Sequence, residues 1–486
     1  MSDRMSTGIP GLDEIFNGGL VAQRTYLLVG AAGTGKTILS LQWLLQGQKN
    51  KKPLYITLAE PGIDIERNVS GFGWKLDKIN LLDLSPKING GKRVYSSPIE
   101  EYHVFSPSEV EQPDTWKLLY KNIEKIKPER LVIDSVTQLR YLSTDEYQFR
   151  KQMLNLVSFL NQHKITTFLL FEPMELEREA SIALAVDGIV KISSNVSQSR
   201  DIAHRCIEIT KLRGSDFLSG YHPFSIKHDG IHIYPHRIEK MTEINVKQHM
   251  IKSNIPNLDM LLAGGIESGT TTIISGPTGV GKSSLGIQFL ISSCSKNNRA
   301  IIYTFEEPAN FIIKRCAAIG MPITKKTNEG SLKIVRINPM EIYLDEFLQM
   351  IHQAVEIDKF NLIMIDSLGG YHLAMEQYGT FISHIQNLKI YLNQQNITAF
   401  LINEVEEITG NLKVTELGVS HLSDNIILLR YAEYNSQVIK VIACLKKRLG
   451  NFQPELRGFA ITSEGLTVGE KLENLRGILT GIPTSL

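Results

Sequence analysis

TYLLVGAAGTGKTILSLQWLLQG, Thr25 to Gly47, and TTIISGPTGVGKSSLGIQFLISS, Thr271 to Ser293, decide how this chain is read. In each, an apolar β-branched run leads into G-x-x-x-x-G-K-[ST] and then into a helix-like segment. That is the strand, loop and helix context a phosphate-binding loop requires. Its glycines let backbone N–H groups curl around phosphates, and the helix N-terminus adds positive potential. The lysine reaches the β- and γ-phosphates and the hydroxyl binds Mg²⁺. Gly33, Thr34, Gly35, Lys36 and Thr37, with Gly279, Val280, Gly281, Lys282 and Ser283, are therefore the candidate ATP-binding residues.

Outward from the two loops the chain repeats itself, and this settles its organisation. Ile9-Pro-Gly-Leu-Asp13 and Gly18-Gly19 return 246 residues on as Ile255-Pro-Asn-Leu-Asp259 and Gly264-Gly265, the same spacing that relates Gly30 to Gly276. YITLAEP (Tyr55 to Pro61) matches IYTFEEP (Ile302 to Pro308), and LVIDSV (Leu131 to Val136) matches LIMIDSL (Leu362 to Leu368). The shorter offset of the last pair puts extra residues in the first copy, assigned to a polar surface loop between Leu82 and Pro113. Four β-branched runs alternate with helix-like segments in each copy, which argues for a mostly parallel sheet flanked by helices. The expected layout is a first nucleotide-binding domain over 1–237, a linker over 238–248 and a second domain over 249–486.

Composition agrees with a globular chain of this length, 486 residues with 42% hydrophobic content. Lys plus Arg number 52 against 51 Asp plus Glu, so no overall field attracts nucleic acid or an anionic membrane. No apolar run approaches bilayer-spanning length, and the N-terminus lacks a signal-peptide pattern. A cytoplasmic location with no membrane partner is expected. Four scattered cysteines and twelve histidines show no metal-ligand spacing, so buried free thiols are expected and no transition-metal site.

Asp134 and Asp366 end apolar strands after the phosphate loops, as expected of aspartates that hold the Mg²⁺ shell with Thr37 and Ser283. Glu60, and the pair Glu306 and Glu307, end the strand between the two motifs, where a carboxylate can orient or deprotonate the attacking group. Ala59 stands where the second copy has Glu306. Glu60, Glu306 and Glu307, with Lys36 and Lys282, are thus the candidate catalytic residues.

These landmarks resemble the KaiC-type tandem RecA-like ATPases, relatives of the RadA and RecA recombinases. The resemblance runs through nearly the whole chain and includes Lys211-Leu-Arg213-Gly214 and SHLSDNIILLRY, Ser420 to Tyr431. It implies two tandem RecA-like P-loop domains in a homohexamer that binds ATP and Mg²⁺ at subunit interfaces. Lys211 and Arg213, and by the same pattern Lys446 and Arg448, would reach a neighbour's γ-phosphate. The second ring of clock proteins of this kind phosphorylates itself on adjacent Ser and Thr. The first acceptor aligns with Ser420 and the second with His421, with Thr415 and Ser423 nearby. Autokinase action on Ser420 is the expectation drawn, set against a Ser420 that caps or packs, and the ordered two-site cycle is not expected. A KaiB-like partner is an expectation of the resemblance. Regulation by KaiA is not, because the chain stops at RGILTGIPTSL. The function so read is a KaiC-like ATPase acting as a clock, timing or stress-signalling switch. The alternatives are a RecA/RadA-like DNA-dependent ATPase, disfavoured by the neutral charge, and a nucleotide-glued scaffold, for which Ala59 speaks in the first ring.

Overall fold

The computed structural model describes residues 3–47, 53–89, 92–94, 114–143, 145–196, 203–239, 249–374, 381–405, 418–434, 437–473, 475–476 and 484–485. By internal contacts the chain divides into two compact units, Met1–Arg237 and Ile238–Leu486. Most of the expected connector, 240–248, lies outside the described residues, as does Thr415.

The first unit is built on β1 (Thr25–Gly30), α1 (Lys36–Leu45), β2 (Leu54–Thr57), α2 (Gly62–Ser70), β3 (Asn80–Asp83), α3 (Asp114–Ile126), β4 (Arg130–Asp134), α4 (Glu146–Gln162) and β5 (Thr166–Phe171). Four more strands follow: β6 (Gly188–Val196), β7 (Ala203–Leu212), β8 (His222–Lys227) and β9 (Gly230–Ile233). They form one nine-stranded sheet in the order β9-β8-β7-β6-β1-β5-β4-β2-β3. From β6 to β3 all neighbours run parallel, whereas β7, β8 and β9 add on antiparallel.

Every residue of β1 is buried, which is why TYLLVG reads as a continuous apolar run and not an alternating one. The pleat sends Tyr26 and Leu28 into one core, with Trp43 of α1 and Phe168 of β5, and Leu27 and Val29 into another, with Trp116, Met153 and Leu156 of α3 and α4. Helices therefore cover both faces. Trp43 meets Phe168 edge-on at 4.8 Å, pinning the helix after the phosphate loop to the sheet.

The second unit repeats the plan with β10 (Thr271–Gly276), α5 (Lys282–Ser293), β11 (Arg299–Thr304), α6 (Ala309–Ala318), β12 (Leu332–Arg336), α7 (Leu344–Glu356), β13 (Phe360–Asp366), α8 (Phe381–Gln394) and β14 (Thr398–Glu404). Its antiparallel extension is β15 (Asn425–Tyr434), β16 (Gln437–Lys447), β17 (Leu456–Thr462) and β18 (Gly465–Lys471). The sheet order, β12-β11-β13-β14-β10-β15-β16-β17-β18, superposes strand for strand on the first. Here β15 lies parallel to β10 and the strands after it run antiparallel.

These are two mostly parallel sheets flanked by helices, the expected tandem RecA-like fold. One local expectation is corrected. The stretch taken as a loop from Leu82 begins inside β3, which pairs with β2, and continues as a hairpin of Lys87–Asn89 with Lys92–Val94. Residues 90–91 and 95–113 lie outside the described residues.

Candidate active site

In both units the phosphate loop leaves the carboxyl end of a central strand, where a parallel sheet opens its ligand crevice. Gly33 and Gly35 have φ of 77° and 105°, and Gly279 and Gly281 have φ of 77° and 116°, a left-handed backbone that side chains resist. Gly35 and Gly281 are also the N-caps of α1 and α5, so the last glycine of each loop hands directly to the first helical turn. The structure thus places the ten candidate ATP-binding residues in two matching loops and the first turns of the helices that follow them.

The neighbouring strand ends deliver the acids. In the first unit Thr37 Oγ1 donates to Asp134 Oδ2 at 2.8 Å, and the hydroxyl of buried Tyr55 donates to the same oxygen at 2.5 Å. In the second unit Ser283 hydrogen-bonds Asp366, whose carboxyl is pushed up to about 6, chiefly by burial, with the Glu306 charge adding to it. Ile302, on β11, occupies the position of Tyr55, so the second aspartate has no phenol. Each unit thus offers an oxygen-only set, one hydroxyl and one carboxylate beside the phosphate loop, which is the donor chemistry Mg²⁺ takes when phosphates and water complete its shell. Among the described residues no group of three or more His, Cys, Asp or Glu is arranged for a metal.

The lysines open α1 and α5 and fold their ammonium groups back onto these loops. Lys36 donates to the carbonyls of Gly30 at 2.5 Å and Ala31 at 3.0 Å, and Lys282 donates to the carbonyl of Pro277 at 2.9 Å. Burial lowers the pKa of both. Asp134 and Glu172 oppose that for Lys36, as do Glu404, Asp366 and Glu306 for Lys282. Glu172 and Glu404 follow β5 and close β14, and they are acids that motif reading missed. They are related by the 232-residue offset of Asp134 and Asp366, a signal available in the sequence.

The candidate bases differ between the sites. Glu60 accepts from Asn68 Nδ2 at 2.7 Å, and its carboxyl is raised above the ordinary value by burial and by the charges of Asp134 and Asp64. Glu306 accepts from Ser367 Oγ at 2.5 Å. Glu307 accepts from Arg315 instead, through Nη2 at 2.7 Å and Nε at 3.3 Å. Arg315 and Glu307 line a cavity of about 320 Å³ together with Gly279, Gly281, Lys282 and Ser283.

The four cations expected to serve a neighbour have no phosphate-loop residue among their recorded partners. Lys211 donates to the carbonyls of Ala183 and Leu184 at 2.7 and 3.0 Å, and Arg213 to Leu184 at 2.7 Å. Lys446 donates to the carbonyls of Ser423 at 2.6 Å and Ser420 at 3.3 Å, and Arg448 stands 3.6 Å from Asp424. Ser420 is half-buried and opens a single 3₁₀ turn, Ser420–Leu422, beside exposed His421. All four cysteines are buried free thiols. No described helix is long and apolar enough to cross a membrane.

Two RecA-like units, each with a phosphate loop, a hydroxyl–aspartate pair and strand-end acids at one crevice, define a tandem P-loop ATPase. A family model described as "ATPase: KaiC" matches residues 5–238 and again 251–473. The chain belongs to this KaiC ATPase family, as the motifs led us to expect. Among its relatives is the circadian clock oscillator protein KaiC of Nostoc sp., 30% identical over 501 residues, covering 99% of this chain and 92% of that protein. Circadian clock oscillator protein KaiC 1 of Synechocystis sp. is 29% identical over 495 residues, covering 99% of this chain and 92% of its own. Circadian clock protein KaiC3 of the same organism is 28% identical over 496 residues, with 99% and 94% covered.

Proposed function

We propose that this protein is a hexameric, KaiC-like ATPase that hydrolyses ATP at both phosphate loops and acts as a cytoplasmic timing switch, as the names of its relatives suggest. The observation that carries the reading is the hydroxyl–aspartate pair in each unit, Thr37 with Asp134 and Ser283 with Asp366, set beside a phosphate loop and a strand-end glutamate.

In this reading Thr37 and Asp134, and Ser283 and Asp366, would hold Mg²⁺, and the ion would supply positive charge against that developing on the phosphates. The loop N–H groups and Lys36 or Lys282 position the phosphates. Glu60 in the first site and Glu306 in the second take the proton of the attacking water as it adds to the γ-phosphorus. The proton passes to a carboxylate oxygen while the bond to the β-phosphate oxygen breaks and ADP leaves. A neighbour's Lys211 and Arg213, or Lys446 and Arg448, steady the transferred phosphoryl group across the interface. In the second ring the Ser420 hydroxyl can replace water as the attacking group, leaving a phosphoserine next to Lys446. A KaiB-like protein is the partner that the first ring would take.

One incubation tests this. The purified chain is mixed with ATP and Mg²⁺, phosphate release is followed, and native and intact masses are read from the same tube. Six-fold assembly, turnover and one phosphate mapped to Ser420 support the whole reading. Turnover with an unchanged mass removes the autokinase part, and no turnover removes the proposal.

A further inference from the structure

The two sites differ eight residues after the strand-end glutamate. On α2 that residue is Asn68, which gives Glu60 one neutral amide bond. On α6 it is Arg315, which holds both carboxylate oxygens of Glu307 through Nε and Nη2 in a charged, bidentate pair. Its third contact, Nη1 to Ser284 Oγ at 3.0 Å, is to the residue after Ser283 in the first turn of α5. That turn carries the free N–H groups and the positive dipole end that bind phosphate. A guanidinium has five N–H donors, and the recorded contacts use three of them. The guanidinium therefore lines the phosphate cleft with two N–H donors not used by these contacts, its charge balanced by Glu307.

The Glu307 carboxylate accepts from Arg315 through both oxygens, so its charge is matched and its lone pairs are engaged. Glu306 has Ser367 on one oxygen and no cation among its recorded hydrogen bonds. Of the two glutamates, Glu306 is the one arranged to receive a proton.

We propose that Arg315 is a second cation, contributed from within the same chain, for the phosphates of the nucleotide in the second site, and that Glu307 is its anchor and not a base. The idea rests on the second phosphate loop being an ATP site. It gives the second site a phosphate contact that the first lacks, and it divides the paired glutamates into a proton acceptor and a positioning residue.

The test uses the full chain with the first loop silenced by Lys36→Ala, so that binding and turnover report the second site. ATP, ADP and adenosine are titrated by displacement of a fluorescent nucleotide. Arg315→Asn installs the residue the first unit itself carries there. It is expected to weaken ATP and ADP by about tenfold or more, the worth of a hydrogen bond to a charged group, and to leave adenosine unchanged. Glu307→Gln keeps an oxygen acceptor for Arg315 and is expected to raise KM more than it lowers kcat. Glu306→Gln should lower kcat by about 10²- to 10⁴-fold, the usual contribution of a positioned base. The proposal is overturned if Arg315→Asn binds ATP as the parent does, if adenosine weakens as much as ATP, or if Glu307→Gln loses as much kcat as Glu306→Gln. A Lys36→Ala parent that binds no ATP would overturn the reading of the second site itself, before any Arg315 variant is compared.

Discussion

Lys447 lies between the two cations proposed to reach a neighbour, and it does something different. Its ammonium sits 3.0 Å from Glu267 and donates to the Leu262 carbonyl at 2.6 Å, with side chains only 1% and 6% exposed. The other Glu267 oxygen has no hydrogen-bond partner among the described residues. The first unit does without the pair. Strand register puts Val21 where the second unit has Glu267, and Leu212 where it has Lys447. Replacing one partner of a buried pair strands the other charge, at about 3–5 kcal/mol. Lys447→Leu should therefore destabilise the second unit by that amount. At about 2–4 °C per kcal/mol for a unit of this size, its melting temperature should fall by roughly 6–20 °C. The double variant Glu267→Val, Lys447→Leu copies the first unit. It should recover part of the loss, with roughly 1–3 kcal/mol remaining for the unpaired Leu262 carbonyl. Calorimetry of parent, single and double variants at pH 7 reads all of this. A double variant as unstable as the single one would refute the reasoning.

Gly276→Ala would bring a Cβ within 2.3 Å of the backbone oxygen of Leu429, which cannot swing aside, so loss of second-site nucleotide binding and a lower melting temperature are expected. Glu60 acts as a base only when ionised, so first-site turnover in a Lys282→Ala background should fall as pH drops through its raised pKa. That places the acid limb above the ordinary glutamate value of about 4.3, and a rate that stays flat down to pH 4 would refute the role. Burial pushes the Cys316 and Cys444 thiols up to about 11, so the native protein should resist thiol reagents at pH 8, whereas the unfolded chain reacts at all four cysteines.

What was legible in the sequence was what short-range chemistry spells out. A phosphate loop is contiguous, so glycines and lysine can be placed from their spacing, and the repeat supplied a second reading of each element. The runs TYLLVG and TTIISG coincide with β1 and β10, and LVIDSV and LIMIDSL match β4 and β13 to within two residues. The antiparallel extensions were not recognised as sheet, because strands such as β7 and β16 carry charged residues that break the apolar signal. The contacts that separate the sites were hidden for another reason. Tyr55, Asn68 and Arg315 look like ordinary strand and helix residues until folding brings them to Asp134, Glu60 and Glu307. Comparing the copies position by position, Tyr55 with Ile302 and Asn68 with Arg315, exposes them as differences but not as neighbours.

The claim that two unlike ATPase sites operate in one chain is tested most directly by phosphate release from four proteins at saturating ATP and Mg²⁺: parent, Lys36→Ala, Lys282→Ala and the double variant. Each single variant should keep the other site's turnover, with different rates and pH profiles, and the double should release none. Phosphate release by the double variant at the parental rate would contradict the account.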